Sequence, residues 1–338
     1  MVNALHVRYN ASDRSYFAIL KKEIHALALS AGFNEKKLAE IDIIVAEIVS
    51  NLAKHTTGGE VFAKLIELKK IQGLEIIAVD KGPGMSDVKT MMQDGTSTKN
   101  TLGQGLGSIK RLSDECHIYS QKGWGTILLA RIYNEEVPYA RKKNAFDVRS
   151  FLLPKPGETE CGDGFYCKQT KDYVKLMLGD GLGHGKEAAL AVNKGIEACR
   201  LCYEESPVEN LRFIHQAVKK TRGMVATVAI FHIKEKKWSI CGVGNISARI
   251  IGNSTGKNHT PYNGIVGLNM PKTMSDQHLE YEAGQLMIMC SDGIKSKWDL
   301  ARLPGILRHD LSLLNAALFK DFARNTDDVS IASCKIVL

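Results

Sequence analysis

The sequence predicts an α+β protein of two domains, an α/β sandwich followed by a β-sandwich flanked by helices. Three observations predict it. The 338 residues amount to about two domains of roughly 150 residues each. Helical periodicity dominates the first 55 residues, whereas short apolar runs bounded by turn residues dominate the second half. A hydrophobic content of 44% with 24% charged residues belongs to a packed globular chain rather than a disordered or fibrous one.

Residues 7–9 read as an edge strand, and residues 15–30 and 35–55 repeat their apolar positions at helical spacing. On the second helix Ile41, Ile44, Val45, Ile48, Val49 and Leu52 make one broad apolar face. Strands at 61–68 and 74–80 precede glycine-rich turns, a helix near 106–114 and strands at 116–121 and 125–133. Residues 134–150 lose this periodicity and collect Glu135, Glu136, Pro138 and Arg141-Lys142-Lys143, as a connector does. The expected organisation is a domain over 1–135, a linker over 136–149 and a domain over 150–338. In the latter, strands are expected at 164–169, 173–179, 226–233, 237–243, 247–252, 285–291 and 329–337, with helices at 186–204 and 207–222.

The formal charge of +8 admits an acidic partner, yet its basic residues are scattered, which argues against nucleic acid. The eight cysteines form no secreted-type framework, and Cys199 and Cys202 fall in a helical stretch without a second pair. No apolar run reaches the roughly 20 residues that span a bilayer, and the first residues lack a signal-peptide core. A cytoplasmic setting without membrane contact is expected.

Glu47 and Asn51 are four apart on the second helix and project from one face. A carboxylate there can accept a hydroxyl proton, and a carboxamide oxygen can ligate magnesium between nucleotide phosphates. Lys54 follows within a turn, where its charge could meet phosphate. The turn Asp80-Lys81-Gly82-Pro83-Gly84 comes directly after an apolar strand. Its carboxylate can accept an adenine amine hydrogen, while the glycines let the backbone pass under a ring. Gly103-Gln104-Gly105-Leu106-Gly107 opens a helix, whose amide groups and dipole suit an anion, and residues 94–99 have the polar composition of a lid. Singly, each is also an ordinary helix surface or tight turn.

A second constellation is acidic. Asp163 and Asp180 become direct cross-strand partners if Lys171-Asp172 is the hairpin turn, about 5 Å apart at Cβ. Asp292 follows the apolar strand in Ser291-Asp292-Gly293, and Asp327-Asp328 opens the last strand. Carboxylates gathered at strand ends suit hard divalent cations rather than zinc, although each Asp-Gly is also a common turn.

Glu-x-x-x-Asn-x-x-x-His, Asp-x-Gly-x-Gly and Gly-x-Gly-x-Gly in this order, followed by Gly125-Thr126, resemble the GHKL (Bergerat) ATP-binding family over residues 1–135, especially its RsbT-like serine kinase and anti-sigma branch. That resemblance implies Glu47 as the catalytic base, Asn51 as magnesium holder, Asp80 as adenine reader, a pocket shaped by Gly82, Gly84, Gly103, Gly105, Leu106 and Gly107, and support from Thr126. From about residue 145 onward the aspartate motifs resemble the SpoIIE and RsbX-like metal-dependent Ser/Thr phosphatases. By that resemblance two Mn²⁺ or Mg²⁺ ions sit on Asp163, Asp180, the Gly181 carbonyl, Asp292 and Asp327, with Asp180 central to catalysis and Asp328 as the neighbour of the last ligand. His184 departs from the small or amide residue usual in that glycine loop and either shapes the loop or donates a proton to the leaving serine oxygen; no arginine is evident as a phosphate clamp.

Together the resemblances imply a bifunctional switch, an ATP-dependent Ser/Thr kinase joined to a phosphatase, acting on a STAS-type regulator in a stressosome-like partner-switching pathway. The alternatives are a sequestering module for a sigma factor or other regulator, with ATP bound but not turned over, attached to a working phosphatase, and a regulatory fusion in which ATP occupancy gates the phosphatase.

Overall fold

The computed structural model describes residues 4–11, 13–56, 58–68, 70–88, 105–137, 145–252 and 256–337. Two compact units emerge: His6–Arg141 with Leu300–Ala317, and Met1–Leu5 with Lys142–Asp299 and Leu318–Leu338. The segment Leu300–Ala317 thus belongs to the N-terminal unit although the sequence places it after Asp292.

In the N-terminal unit β1 (Val7–Asn10), β2 (Gly59–Leu68), β3 (Ile71–Asp80), β4 (Glu115–Gln121) and β5 (Gly125–Tyr133) form a sheet of order β1-β2-β3-β5-β4, antiparallel throughout. Three helices, α1 (Phe17–Ser30), α2 (Glu35–His55) and α3 (Gly105–Leu112), supply the other layer. Asn34 starts α2 as its cap, accepting from the Lys37 amide at 3.0 Å, which satisfies one of the orphan donors of a helix start. The apolar stripe then packs Ile41, Ile44, Val45 and Ile48 onto Val61, Ala63, Leu74, Ile76 and Ala130. Helix period meets strand period at one interface.

The other face of this sheet is buried as well, and it is charged. Arg131 is 1% exposed. Its guanidinium donates to Glu75 Oε2 at 2.7 Å, Glu115 Oε2 at 2.8 Å, both oxygens of Asp310 at 2.9 Å and Ser312 Oγ at 2.8 Å. Lys64 approaches Glu75 from the other side at 3.3 Å. Burial alone would raise the Glu75 carboxyl, but Lys64 and Arg131 hold it well below the usual carboxylate range. Segment Leu300–Ala317 adds further contacts: the Tyr119 hydroxyl donates to Pro304 O at 3.2 Å, and its ring packs edge-on against His309.

The C-terminal unit stacks two antiparallel sheets. One has the order β13-β10-β9-β8-β7, built from β7 (Asp163–Gln169), β8 (Tyr173–Gly181), β9 (Met224–His232), β10 (Lys237–Val243) and β13 (Gln277–Glu280). The other has the order β12-β11-β14-β15-β6, from β6 (Phe146–Leu153), β11 (Ser247–Ile251), β12 (Gly256–His259), β14 (Leu286–Cys290) and β15 (Val329–Ile336). Phe165, Leu176, Phe231 and Trp238 meet Val148, Ile250, Met287 and Cys334 between them. Helices α4 (Lys186–Leu201) and α5 (Pro207–Val218) cover Met177, Val228 and Ile230 on the outer face of the first sheet.

Four elements differ from the sequence expectation. Strand β6 begins at Phe146, inside the stretch read as connector, because buried Phe146 and Val148 alternate with Asp147 and Arg149 and the charges mask a period of two. Strands β12 and β13 are four residues each, too short to show alternation. Helix α6 (Leu311–Phe322) is buried over Leu311–Phe319, so it lacks the amphipathic stripe that identifies a surface helix.

Candidate functional sites

In the N-terminal unit the carboxyl end of β3, α2 and the start of α3 converge. A Cβ placed on Gly105 would lie 2.8 Å from Glu47 Oε2 and 3.4 Å from Asn51 Oδ1, so the first residue of α3 rests against both side chains. Glycine allows that approach. Asn51 Nδ2 is buried without a partner among the described residues, an atom that a bound ligand would satisfy. Lys54 is exposed on the last turn of α2.

Asp80 organises the neighbouring turn. Its Oδ1 accepts from the Gly82 amide at 2.7 Å and the Thr126 amide at 3.3 Å. Gly84 adopts φ +68°, and a Cβ there would fall 1.8 Å from Gln121 O, which only glycine avoids. Thr126 Oγ1 lies 2.9 Å from Ser120 Oγ, which in turn accepts from the Met85 amide at 2.8 Å. Glu47, Asn51 and Gly105 therefore form one group, and Asp80, Gly82, Gly84 and Thr126 another. His55 O joins the second to the end of α2, since a Cβ on Gly82 would meet it at 3.1 Å. Leu106 packs on the helix–sheet core, and Gly107 is buried in the first turn of α3. Gly103 and residues 94–99 lie outside the described residues.

In the C-terminal unit the register is the expected one: Asp163 faces Asp180, and Gln169 faces Val174, leaving Lys171-Asp172 at the turn, closed by Thr170 N donating to Tyr173 O at 2.9 Å. Asp163 is 1% exposed. Its Oδ2 accepts from Ser291 Oγ at 2.6 Å, and its Oδ1 is buried with no hydrogen-bond partner among the described residues. Gly293 brings the Asp292 turn against Asp328, whose carbonyl oxygen would be 2.0 Å from a Cβ at that position. Asn245 Nδ2 donates to Asp292 Oδ2 at 3.0 Å. Gly181 sits where a Cβ would be 2.4 Å from Ala188 O, so α4 itself demands glycine after Asp180.

The electrostatics are those of a cation site. Burial, followed by Asp163, Asp292, Asp327 and Asp328, pushes the Asp180 carboxyl far above the usual range. Burial, then Asp328 and Asp292, raises Asp163, and burial raises Asp328. Mutual repulsion of this kind is relieved by divalent metal, and with the orphaned Asp163 Oδ1 it shows that the residues fit one. Between the adjacent acids, Asp328 already accepts from Lys155 N at 2.9 Å and is 3% exposed, whereas Asp327 is half-buried.

Several supporting residues carried no signal in the sequence. Ser291 orients Asp163, Asn245 orients Asp292, and Glu158 meets His184 Nδ1 at 2.7 Å across the glycine loop. Arg222 Nη1 donates to Leu182 O at 3.4 Å in the same loop. Each is an isolated polar residue whose partner is remote in sequence.

The chain matches the family model of the histidine kinase-like ATPase domain over residues 11–132 and that of stage II sporulation protein E (SpoIIE) over residues 170–335. It is 36% identical over 104 residues to the serine/threonine-protein kinase RsbT of Bacillus subtilis (strain 168), covering 31% of this chain and 78% of RsbT. It is 27% identical over 150 residues to the phosphoserine phosphatase RsbX of the same organism, covering 43% of this chain and 72% of RsbX. Among solved structures, one described under the bacterial stressosome as a modular system controlling secondary messenger signalling aligns with TM-score 0.53 and 28% identity, over 56% of this chain and 98% of the other. RsbX in complex with magnesium aligns with TM-score 0.51 and 21% identity, over 56% and 95%, a likeness of fold. No described helix is long and apolar enough to cross a membrane. The chain therefore belongs to the RsbT-like kinase family of histidine-kinase-like ATPases through its N-terminal unit, and its C-terminal unit is a SpoIIE-type serine/threonine phosphatase domain.

Proposed function

We propose that the chain is a bifunctional switch enzyme that phosphorylates and dephosphorylates a serine or threonine of one STAS-type regulatory protein. The observation that carries this reading is the placement of Glu47 beside Asn51 at the start of α3. A carboxylate one turn from a magnesium-holding carboxamide is positioned to take the proton of an attacking hydroxyl. Asn51 and Lys54 would engage the nucleotide phosphates through magnesium and charge, and the amides opening α3 would meet the same anion. Asp80, held by Gly82 and Thr126, would accept from the adenine amine, with Gly84 keeping the turn thin.

In the phosphatase unit, Asp163, Asp180, the Gly181 carbonyl, Asp292 and Asp327 would hold Mg²⁺ or Mn²⁺. Bound ions there would supply charge neutralisation and an activated water for in-line attack on a phosphoester. Ser291 and Asn245 keep two of the carboxylates in orientation, and Asp328 ties residues 155 and 162 to the site. Phosphorylation adds roughly two negative charges to a protein surface and so changes its partner.

Incubation with labelled ATP and candidate STAS proteins tests the reading, using wild type, Glu47→Ala and Asp180→Ala. Label should accumulate on the substrate with Asp180→Ala, turn over with wild type and be absent with Glu47→Ala. No transfer to any STAS protein by Asp180→Ala would leave the N-terminal unit as an ATP-dependent sequestering module.

A further inference from the structure

On the sheet face of the N-terminal unit away from its helices lies a cluster that neither proposed activity uses. Glu115 and His117 are two apart on β4 and share a face. Asp310 reaches them from the segment Leu300–Ala317, and the donor atoms of the three residues all lie within 4.8 Å of one another. Ligand bonds of about 2.0–2.2 Å to one ion span such a spacing after small side-chain adjustments.

Both carboxylates are already oriented. Arg131 donates to Glu115 Oε2 and to both oxygens of Asp310, the Ser312 amide donates to Asp310 Oδ1 at 2.8 Å, and the Tyr133 hydroxyl donates to Glu115 Oε1 at 3.3 Å. Outer hydrogen bonds of this kind fix the carboxylates of metal sites. The His117 side chain is half-buried and makes no hydrogen bond among the described residues, so its ring is available to a ligand. Three carboxylates, Glu75, Glu115 and Asp310, gather around Arg131 and Lys64, with His6 Nε2 3.4 Å from Glu75 Oε1. Burial and the neighbouring His117 keep His309 below the usual imidazole range, so positive charge does not accumulate at that edge.

We propose that Glu115, His117 and Asp310 bind a single zinc-class divalent ion that staples Leu300–Ala317 to β4. An imidazole with two carboxylates selects such an ion, whereas the all-oxygen aspartate cluster of the phosphatase unit selects magnesium or manganese. The staple stands whether or not the kinase and phosphatase readings hold.

The test uses the full chain, stripped of metal, saturated with Mg²⁺ and then titrated with Zn²⁺. Wild type should retain one more zinc equivalent than His117→Ala, with affinity at this site at least about tenfold weaker in the variant. Hydrogen exchange across residues 300–317 should slow on adding zinc in wild type only. His117→Gln, which keeps side-chain bulk, serves if the alanine variant fails to fold. Equal zinc content in wild type and the folded variant, or exchange that zinc leaves unchanged in wild type, overturns the proposal.

Discussion

Asp163 and Asp180 stand directly opposite each other on β7 and β8, with Asp163 fully buried and one of its oxygens unpartnered. Without metal the pair is a source of instability. Asp180→Asn should therefore stabilise the metal-free protein by ~1–2 kcal/mol, as relief of a strained active site commonly does, while abolishing phosphatase activity. Urea denaturation in chelator reads the first effect; a less stable variant would refute the account of the cluster.

The pH dependence has a definite sign. Burial and neighbouring acids raise Asp163 to about 7 and Asp180 to about 9, above the 3.8 of the unfolded chain. The folded metal-free protein therefore holds protons that the unfolded chain releases, and its stability should rise as pH falls from about 9 toward 5. Saturating Mg²⁺ should weaken or reverse that slope. Thermal midpoints at several pH values, with chelator and with metal, decide it.

Glu47→Ala should lower phosphoryl transfer by about 10²–10⁴-fold, the usual contribution of a general base, while leaving nucleotide affinity nearly unchanged. Single-turnover transfer and nucleotide titration separate the two effects. Equal loss of binding and transfer would assign Glu47 to the pocket rather than to proton removal.

Gly84→Ala places a Cβ against Gln121 O in a left-handed backbone conformation. The conformation alone costs about 1–2 kcal/mol, and the overlap forces the turn away from Asp80. Nucleotide binding should fall sharply while phosphatase activity with a phosphopeptide persists.

Arg131→Ala would remove the guanidinium that joins Glu75, Glu115 and Asp310, leaving Glu75 with Lys64, Ser312 and His6 and releasing Asp310. Breaking a buried ion cluster by removing one partner costs about 3–5 kcal/mol, so the N-terminal unit should unfold at markedly lower denaturant. Exchange measurements should show residues 300–317 losing protection first.

Much of the architecture was legible because the signals were local. The α2 stripe from Ile41 to Leu52 and the hairpin register joining Asp163 to Asp180 both follow from spacing within a few residues. What escaped was non-local. Lys64, Glu75 and Arg131 look like the solvent face of alternating strands, and nothing near them announces that Asp310 and Ser312 will bury them. Phe146 and Val148 were hidden among charges, and α6 is too uniformly apolar to show a period. Ser291, Asn245 and Glu158 act only through partners that folding brings to them.

The membership of Leu300–Ala317 in the N-terminal unit bears on synthesis. A ribosome completes the sheet of that unit by Tyr133, with Glu75 and Glu115 already beside Arg131, yet delivers Asp310 and Ser312 only when most of the phosphatase has already emerged. The nascent sheet must wait through that interval with an unshielded polar face, so a gene cut between the two catalytic regions would release a first half in which that wait never ends.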